Sequence, residues 1–71
     1  MERKWLREKF RENLKRIRNE KGISAEKLSK EAGFHRTYAG KLERGEMSPS
    51  LDTVDKLADA LRVDPLMLLK E

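Results

Sequence analysis

The chain has 71 residues and no cysteine, and its 17 Lys and Arg against 13 Asp and Glu give a net charge of +4. This length suits one small domain, and the lack of thiols excludes disulfides and thiolate metal sites. No apolar run approaches the ~20 residues of a membrane-spanning helix and no signal peptide is visible, so we expect no membrane contact and a cytoplasmic location.

The positive charge is concentrated in the first part of the chain. Residues 1–45 carry 14 Lys and Arg against 7 Glu, a balance of +7, whereas residues 46–71 have a balance of −3. A basic half beside an acidic half is typical of proteins that bind a polyanion. A highly soluble helical protein with solvated charges would show the same distribution, so charge alone does not decide between these interpretations.

Apolar residues spaced three and four apart predict a first helix from about Arg3 to Lys21. Gly22 should end this helix, because glycine adopts the left-handed conformation of a helix C-terminus without strain. The apolar residues that define the predicted inner face are Leu6, Phe10, Leu14 and Ile17.

The stretch from residue 25 to residue 45 predicts two short helices set at an angle. Gly33 stands just past the last periodic apolar residue of the first of them, where a left-handed corner is easy for glycine. Ser24 is a good N-cap for that helix, which should end near Ala32 with Leu28 facing inward.

The second helix of this pair should run from about Arg36 to Arg44, with His35 near its N-cap. Ala39 and Leu42 face inward at helical spacing. Basic and hydrogen-bonding side chains then remain on the outer side, and a helix of this kind can enter a DNA major groove. The outward residues are His35, Arg36, Thr37 and Lys41.

A linker of residues 46–49 precedes a fourth predicted helix, from about Ser50 to Leu61, for which Ser50 is a good cap. Its apolar residues recur at helical spacing and should face the core, with three aspartates on the opposite side. The predicted inward residues are Leu51, Val54, Leu57, Ala58 and Leu61.

Asp64 as the cap and Pro65 at the first helical position predict a short fifth helix. Its four consecutive apolar residues, 66–69, cannot all face one core on a helix of one to two turns. Some should be exposed in a monomer, which indicates a subunit interface in a homodimer, within a dimerisation segment of residues 62–71. The candidate interface residues are Leu66, Met67 and Leu69.

An ordered set of residues spans most of this pattern: Gly22, Leu28, Gly33, Leu42, Glu43-Arg44-Gly45 and Pro49-Ser50-Leu51. In this order and spacing, the set resembles the Cro and lambda-repressor type of helix-turn-helix protein, the XRE-like family. The resemblance covers about residues 10–70. It implies an all-α, five-helix, lambda-repressor-like DNA-binding domain with a helix-turn-helix at about residues 25–44. Residues 1–71 would form a single domain, in which residues 1–9 extend the first helix.

Three positions differ from the family pattern. The family usually has Gln, which helps to grip a phosphate, where this chain has Ala25. It usually has a bulky aliphatic residue in place of Ala39 and a polar residue in place of Gly40. Glycine inside a helix costs about 1 kcal/mol relative to alanine. We expect these changes to affect affinity and local packing and to leave the fold in place.

Candidate DNA contacts lie on the second helix of the helix-turn-helix and in the linker after it. The expected base-reading residues are Arg36, Thr37 and Lys41. Arginine can donate two hydrogen bonds to guanine, and threonine can contact the methyl group of thymine. A solvated surface role is the alternative for each, and Tyr38 could instead pack against the preceding helix. The residues expected to contact phosphate or base are His35, Tyr38, Arg44, Ser48 and Ser50.

Two further similarities refine the resemblance. Arg36-Thr37-Tyr38 resembles the controller proteins of restriction–modification systems, which are a branch of the family. In the family, an arginine late in the first helix pairs with the glutamate of Glu-Arg-Gly. The resemblance therefore implies a structural ion pair between Arg18 and Glu43.

Together these features predict a sequence-specific transcriptional regulator that binds double-stranded DNA in the nucleoid. It would act as a repressor, in the form of a homodimer on a near-palindromic operator. The rival interpretation is a protein-interaction module of the antitoxin or coactivator type on the same fold. The chain shows no paired catalytic carboxylates and no glycine-rich phosphate loop, so we expect no enzymatic activity, metal, cofactor or small-molecule ligand.

Overall fold

Five α-helices make up the part of the chain that the computed structural model describes, residues 4–70, and no strand occurs within it. The helices are α1 (Lys4–Glu20), α2 (Ala25–Glu31), α3 (Tyr38–Glu43), α4 (Leu51–Leu61) and α5 (Leu66–Leu69). The all-helical prediction is confirmed, while the predicted helix start at Arg3 lies outside the described residues. None of these helices is long and apolar enough to cross a membrane.

The ends of the first two helices follow from the residues that stand there. Gly22 and Gly33 have φ values of +68° and +86°, in the left-handed region that a β-carbon disfavours. At the second corner the Phe34 N–H donates back to the Ser29 carbonyl at 2.8 Å, which closes the end of α2. Ser24 caps the start of α2, because its hydroxyl accepts a first-turn N–H at 3.0 Å.

One apolar cluster connects the five helices. Each large aliphatic side chain buried there contributes about 1.5–3 kcal/mol, and a domain of this size depends on nearly all of them. Helical spacing therefore predicted most of the core correctly. The buried apolar residues are Phe10, Leu14, Ile17, Leu28, Ala39, Leu42, Val54, Leu57, Ala58, Leu61 and Leu68.

Two apolar residues that the spacing placed on inner faces lie outside this core. Leu51 is 82% exposed, so its predicted inward position is wrong, and Leu6 is 42% exposed. Helical spacing sets the direction of a side chain, but burial also needs a neighbouring element to cover it. At the first turn of α4 that cover is incomplete, because Leu6, Arg7 and Pro49 line an open groove of about 240 Å³.

The third helix begins at Tyr38, two residues later than predicted. The ring Nδ1 of His35 accepts the Thr37 N–H at 3.2 Å and lies 2.9 Å from the Thr37 hydroxyl oxygen. The Tyr38 N–H donates to the His35 carbonyl at 2.9 Å. Local bonds of this kind compete with helix formation. Arg36 and Thr37 therefore lie in a turn ahead of α3 instead of on its first helical turn.

Some of the four consecutive apolar residues of α5 are exposed, as predicted. Leu68 is fully buried, Leu69 is half-buried, and Leu66 is 69% exposed. The helix begins at Leu66, one residue later than predicted, and the Asp64 carboxylate accepts the Leu66 N–H at 2.9 Å. The short helix thus anchors one side chain in the core and presents others to its surroundings.

Asn13 joins the first and last helices through buried polar contacts. Its Nδ2 donates to the carbonyls of Leu68 at 3.0 Å and Lys70 at 2.6 Å, and its Oδ1 accepts from Arg16 at 3.2 Å. The last carbonyls of a helix have no partner within the helix, so this amide satisfies groups that α5 leaves open. Sequence reasoning missed Asn13, although a polar residue on the apolar side of a helix was the available signal.

Replacing Asn13 with alanine should weaken the attachment of α5 to α1. Because buried carbonyls would lose their donor, we expect Asn13→Ala to lower the free energy of unfolding by about 1–3 kcal/mol in urea denaturation. Asn19→Ala, on the exposed side of the same helix, should change it by no more than about 0.5 kcal/mol. Equal stability of the two variants would show that the contacts with α5 contribute little.

Candidate nucleic-acid interface

Ser29 fixes the start of α3 against α2. Its side chain is fully buried, and its hydroxyl donates to the Ala25 carbonyl and accepts the Ala39 N–H, both at 2.8 Å. Thr37 stands at the N-cap of α3 but makes no capping bond with its side chain. The Ser29 hydroxyl of α2 therefore accepts the Ala39 N–H, a first-turn donor that an N-cap side chain would usually bind. Sequence reasoning missed Ser29, for which the signal was a small polar residue beside the inward-facing Leu28.

The three positions that depart from the family pattern lie at or near this contact. Ala25 provides the carbonyl that Ser29 binds, and Ala39 provides the N–H. Gly40 follows directly, and a β-carbon there would lie 3.2 Å from Nη1 of Arg44. All three positions therefore carry small residues at or near the place where Ser29 joins α2 to α3 by hydrogen bonds.

Arg18 and Glu43, the two predicted partners, are in contact. Nε of Arg18 donates to Oε2 of Glu43 at 2.7 Å, and Nη2 donates to Oε1 at 3.0 Å, so the guanidinium meets the carboxylate with two parallel bonds. The third nitrogen donates to the Ile23 carbonyl at 3.0 Å. Only 14% of the arginine side chain and 9% of the glutamate side chain are exposed. The pair connects the end of α1 to the last turn of α3.

The contact with Glu43 also affects the pKa of Arg18. The hydrogen bond to Glu43 raises the pKa of Arg18 above its already high ordinary value, against an opposing effect of burial. Bidentate, charge-assisted ion pairs of this kind are among the stronger hydrogen-bonded contacts in proteins. Arginine is already charged at ordinary pH, and the raised pKa keeps Arg18 in that state.

Removing Arg18 tests how much the pair stabilises the fold. We expect Arg18→Ala to lower the free energy of unfolding by about 3 kcal/mol, because Glu43 would be left largely buried without its partner. Lys27 provides the control, since its contact with Glu31 at 4.0 Å is exposed and should be worth about 0.5 kcal/mol or less. Urea denaturation measures both variants. A loss for Arg18→Ala no greater than for Lys27→Ala would contradict this role.

The outer side of the turn and of α3 carries exposed polar and charged side chains. His35, Arg36, Thr37 and Lys41 are all exposed, and Lys41 follows Thr37 by one helical turn. Among residues 4–70, no carboxylate lies within 4.0 Å of Arg36 or Lys41. The structure thus leaves all three predicted base-reading residues exposed, with Thr37 and Lys41 one helical turn apart.

Tyr38 lies inward of this surface. Its ring centroid is 4.5 Å from that of Phe34, and its hydroxyl is 3.3 Å from Oγ1 of Thr53 on α4. Nζ of Lys56 lies 5.6 Å from the Phe34 ring centroid, close enough for a cation–π contact. Tyr38 therefore packs against Phe34 and α4, whereas the sequence suggested α2. Because the Tyr38 hydroxyl can accept from Thr53 and still donate its own proton, a contact with a phosphate does not require this bond to break.

The loop between α3 and α4, residues 44–50, holds the other candidate phosphate contacts. Nε of Arg44 donates to the carboxylate of Glu46, and this hydrogen bond lowers the pKa of Glu46. Ser48 is exposed. Ser50 caps α4, because its hydroxyl accepts a first-turn N–H at 3.1 Å. The N-terminus of α4 begins at this loop, and helix N-termini attract anions.

Comparison with known proteins identifies relatives of the whole arrangement. The helix-turn-helix family model matches residues 14–68. The control protein C.BamHI of Bacillus amyloliquefaciens is 43% identical over 61 residues, which cover 84% of this chain and 75% of that protein. The control protein C.SmaI of Serratia marcescens is 39% identical over 64 residues, which cover 90% of this chain and 76% of that protein.

Two solved structures share the fold. The hypothetical transcription factor NHTF from Neisseria superimposes with a TM-score of 0.87 at 35% identity, over 92% of this chain and 75% of that one. The restriction-modification controller protein C.AhdI from Aeromonas hydrophila gives a TM-score of 0.80 at 42% identity, over 84% of this chain and 91% of that one.

Proposed function

Because the chain belongs to the helix-turn-helix family of DNA-binding regulators, we propose that it binds a specific double-stranded DNA site as a homodimer and represses transcription there. The observation that carries the proposal is the outer surface of α3 and its preceding turn. Arg36 and Lys41 are exposed and unpaired within the described range, while Ser29 and the Arg18–Glu43 pair fix the inner side. A binding surface that is already ordered loses little conformational freedom when it enters a groove.

The candidate contacts divide into two groups by the chemistry that they offer. Arg36 can present two N–H groups to O6 and N7 of guanine, Thr37 offers a methyl group and a hydroxyl, and Lys41 offers a point charge. The second group would contact phosphates or bases, and its phosphate contacts would position the protein without reading sequence directly. This group comprises His35, Tyr38, Arg44, Ser48 and Ser50.

The base-reading role of Arg36 predicts a loss that depends on sequence. On a duplex selected from a random pool, Arg36→Ala should lose about 1–3 kcal/mol of binding free energy, with much less lost on random DNA. Lys9→Ala removes a positive charge from α1, where Lys9 pairs with Glu12 at 3.5 Å, and should weaken both complexes slightly and equally. Titration of both duplexes at fixed salt measures this. Equal losses on the two duplexes for Arg36→Ala would remove it from the base-reading group.

The exposed side of α5 supports the proposed dimer. Leu66 and Met67 are exposed, and with the half-buried Leu69 they line an open groove between Asp64 and Lys70. Apolar residues on a two-fold interface would be covered by the same residues of the second copy. A second copy would also add buried apolar surface to a domain whose own core is small.

Charging this surface should separate the subunits. We expect the parent protein to sediment at twice the 8.3 kDa chain mass at micromolar concentration, and Leu66→Lys to sediment as a monomer. Asn19→Lys adds the same charge on an exposed position of α1 and should leave the dimer intact. Sedimentation equilibrium makes the comparison, with circular dichroism to establish that each variant is folded. A parent protein that stays monomeric up to hundreds of micromolar would contradict the dimer.

A two-fold dimer explains how a domain of this size would select one site in the nucleoid. Each subunit would read a half-site, and the centres of the half-sites would lie about one helical turn, ~34 Å, apart on a near-palindromic operator. Bound there, the protein would exclude polymerase. The protein-interaction alternative makes a different prediction, because an apolar protein interface lacks the steep salt dependence of DNA binding.

A further inference from the structure

Arg11 lies on α1 beside the loop that joins α3 to α4. Its guanidinium rests against the backbone of Gly45, and a β-carbon at that position would collide with it. Gly45 has a φ of +78°, so a side chain there would be strained in any case. The absence of a side chain at Gly45 therefore lets α1 hold an arginine directly on the loop that contains the candidate phosphate contacts.

The charge of Arg11 has no partner within residues 4–70. No carboxylate lies within 4.0 Å of it, and its buried Nε has no hydrogen-bond acceptor. The two terminal guanidinium nitrogens of Arg11 make no hydrogen bond within the described residues either, and they are not buried as Nε is, so they are open to an anion. Arg44, the arginine of the loop itself, differs because its guanidinium already donates to Glu46.

Arg7 extends the same side of α1. It precedes Arg11 by four residues, and Arg18 follows Arg11 by seven, so that the three side chains share one side of the helix. Arg7 lines the groove that also contains Ser48 of the loop. Of these three arginines only Arg18 has a carboxylate partner in the described part of the chain.

We infer that Arg11, with Arg7 beside it, binds a DNA backbone phosphate next to the loop between α3 and α4. The inference rests on the proposed function, because the DNA must lie along that loop. A guanidinium presents a fork of N–H groups that matches two phosphate oxygens. The phosphate would accept from the terminal nitrogens of Arg11, and α1 would become part of the DNA interface together with the helix-turn-helix.

The alternative is that Arg11 only packs against Gly45. A packing role affects stability, whereas a phosphate contact changes how binding depends on salt. Each phosphate that a protein neutralises on duplex DNA contributes about −0.9 to the slope of log K against log salt concentration. The salt slope therefore separates the two roles, and a random-sequence duplex is a sufficient probe because phosphate contacts carry no direct sequence information.

The experiment compares Arg11→Gln with Arg16→Gln on a random-sequence duplex. Arg16 lies on the same helix, and its contact with Glu20 makes the control equal in charge change without loss of a phosphate contact. We expect Arg11→Gln to reduce the magnitude of the salt slope by about 0.9. The affinity advantage of the parent should then shrink about 3.5-fold between about 50 and 200 mM salt. Arg11→Lys, which keeps the charge, should retain the parental slope.

Three results would count against the inference or its premise. A slope for Arg11→Gln equal to that of Arg16→Gln, with the parent still binding, would overturn the assignment and leave the proposed function standing. A parent protein that binds no duplex at low salt would overturn both. If circular dichroism shows that Arg11→Gln is unfolded, the exposed Arg7→Gln replaces it, and an unchanged slope for that variant also overturns the assignment.

Discussion

The pair between Arg18 and Glu43 fixes the element on which the proposed DNA contacts depend. Helix α3 has only six residues, far fewer than an isolated helix needs to be stable in water. Its position is therefore set by tertiary contacts, with Ser29 at its start and Arg18 at its end. Between these two points Leu42 is fully buried. Fixing one side of α3 in this way leaves the opposite side exposed and ordered, which is what a base-reading surface requires.

The basic residues fall into two groups, those whose charge is already paired with a carboxylate and those that are free to bind another anion. Arg18 is held by Glu43 and Arg44 by Glu46, so the attraction of these guanidinium groups for another anion is reduced. Arg36, on the turn before α3, has no such partner in the part of the chain that the structure describes. Because phosphates supply much of the free energy of DNA binding, the unpaired cations matter more than the net charge of +4. The chain thus combines one buried pair, Arg18 with Glu43, that stabilises the fold with unpaired arginines that remain available to DNA.

Helical spacing, glycine ends and caps predicted the five helices and most of the core, and the resemblance to XRE-like regulators and restriction–modification controllers is confirmed by the relatives. Other features depend on partners that spacing does not specify. Asn13 bonds to carbonyls 55 and 57 residues away, and Ser29 to an N–H ten residues away. Leu51 matches the helical spacing of the core residues of α4, yet it is 82% exposed. The later start of α3 follows from the ring of His35, a local contact that periodicity cannot reveal.

Selection of bound sites from a pool of random duplexes tests whether this surface reads DNA as a symmetric pair. If it does, the selection should enrich a near-palindromic sequence whose half-site centres lie about 10–10.5 base pairs apart, or a multiple of that distance. Sequencing of the bound fraction gives both the half-site and its spacing. A bound fraction with the same sequence composition as the starting pool, at a salt concentration where the protein still binds, would contradict sequence-specific recognition.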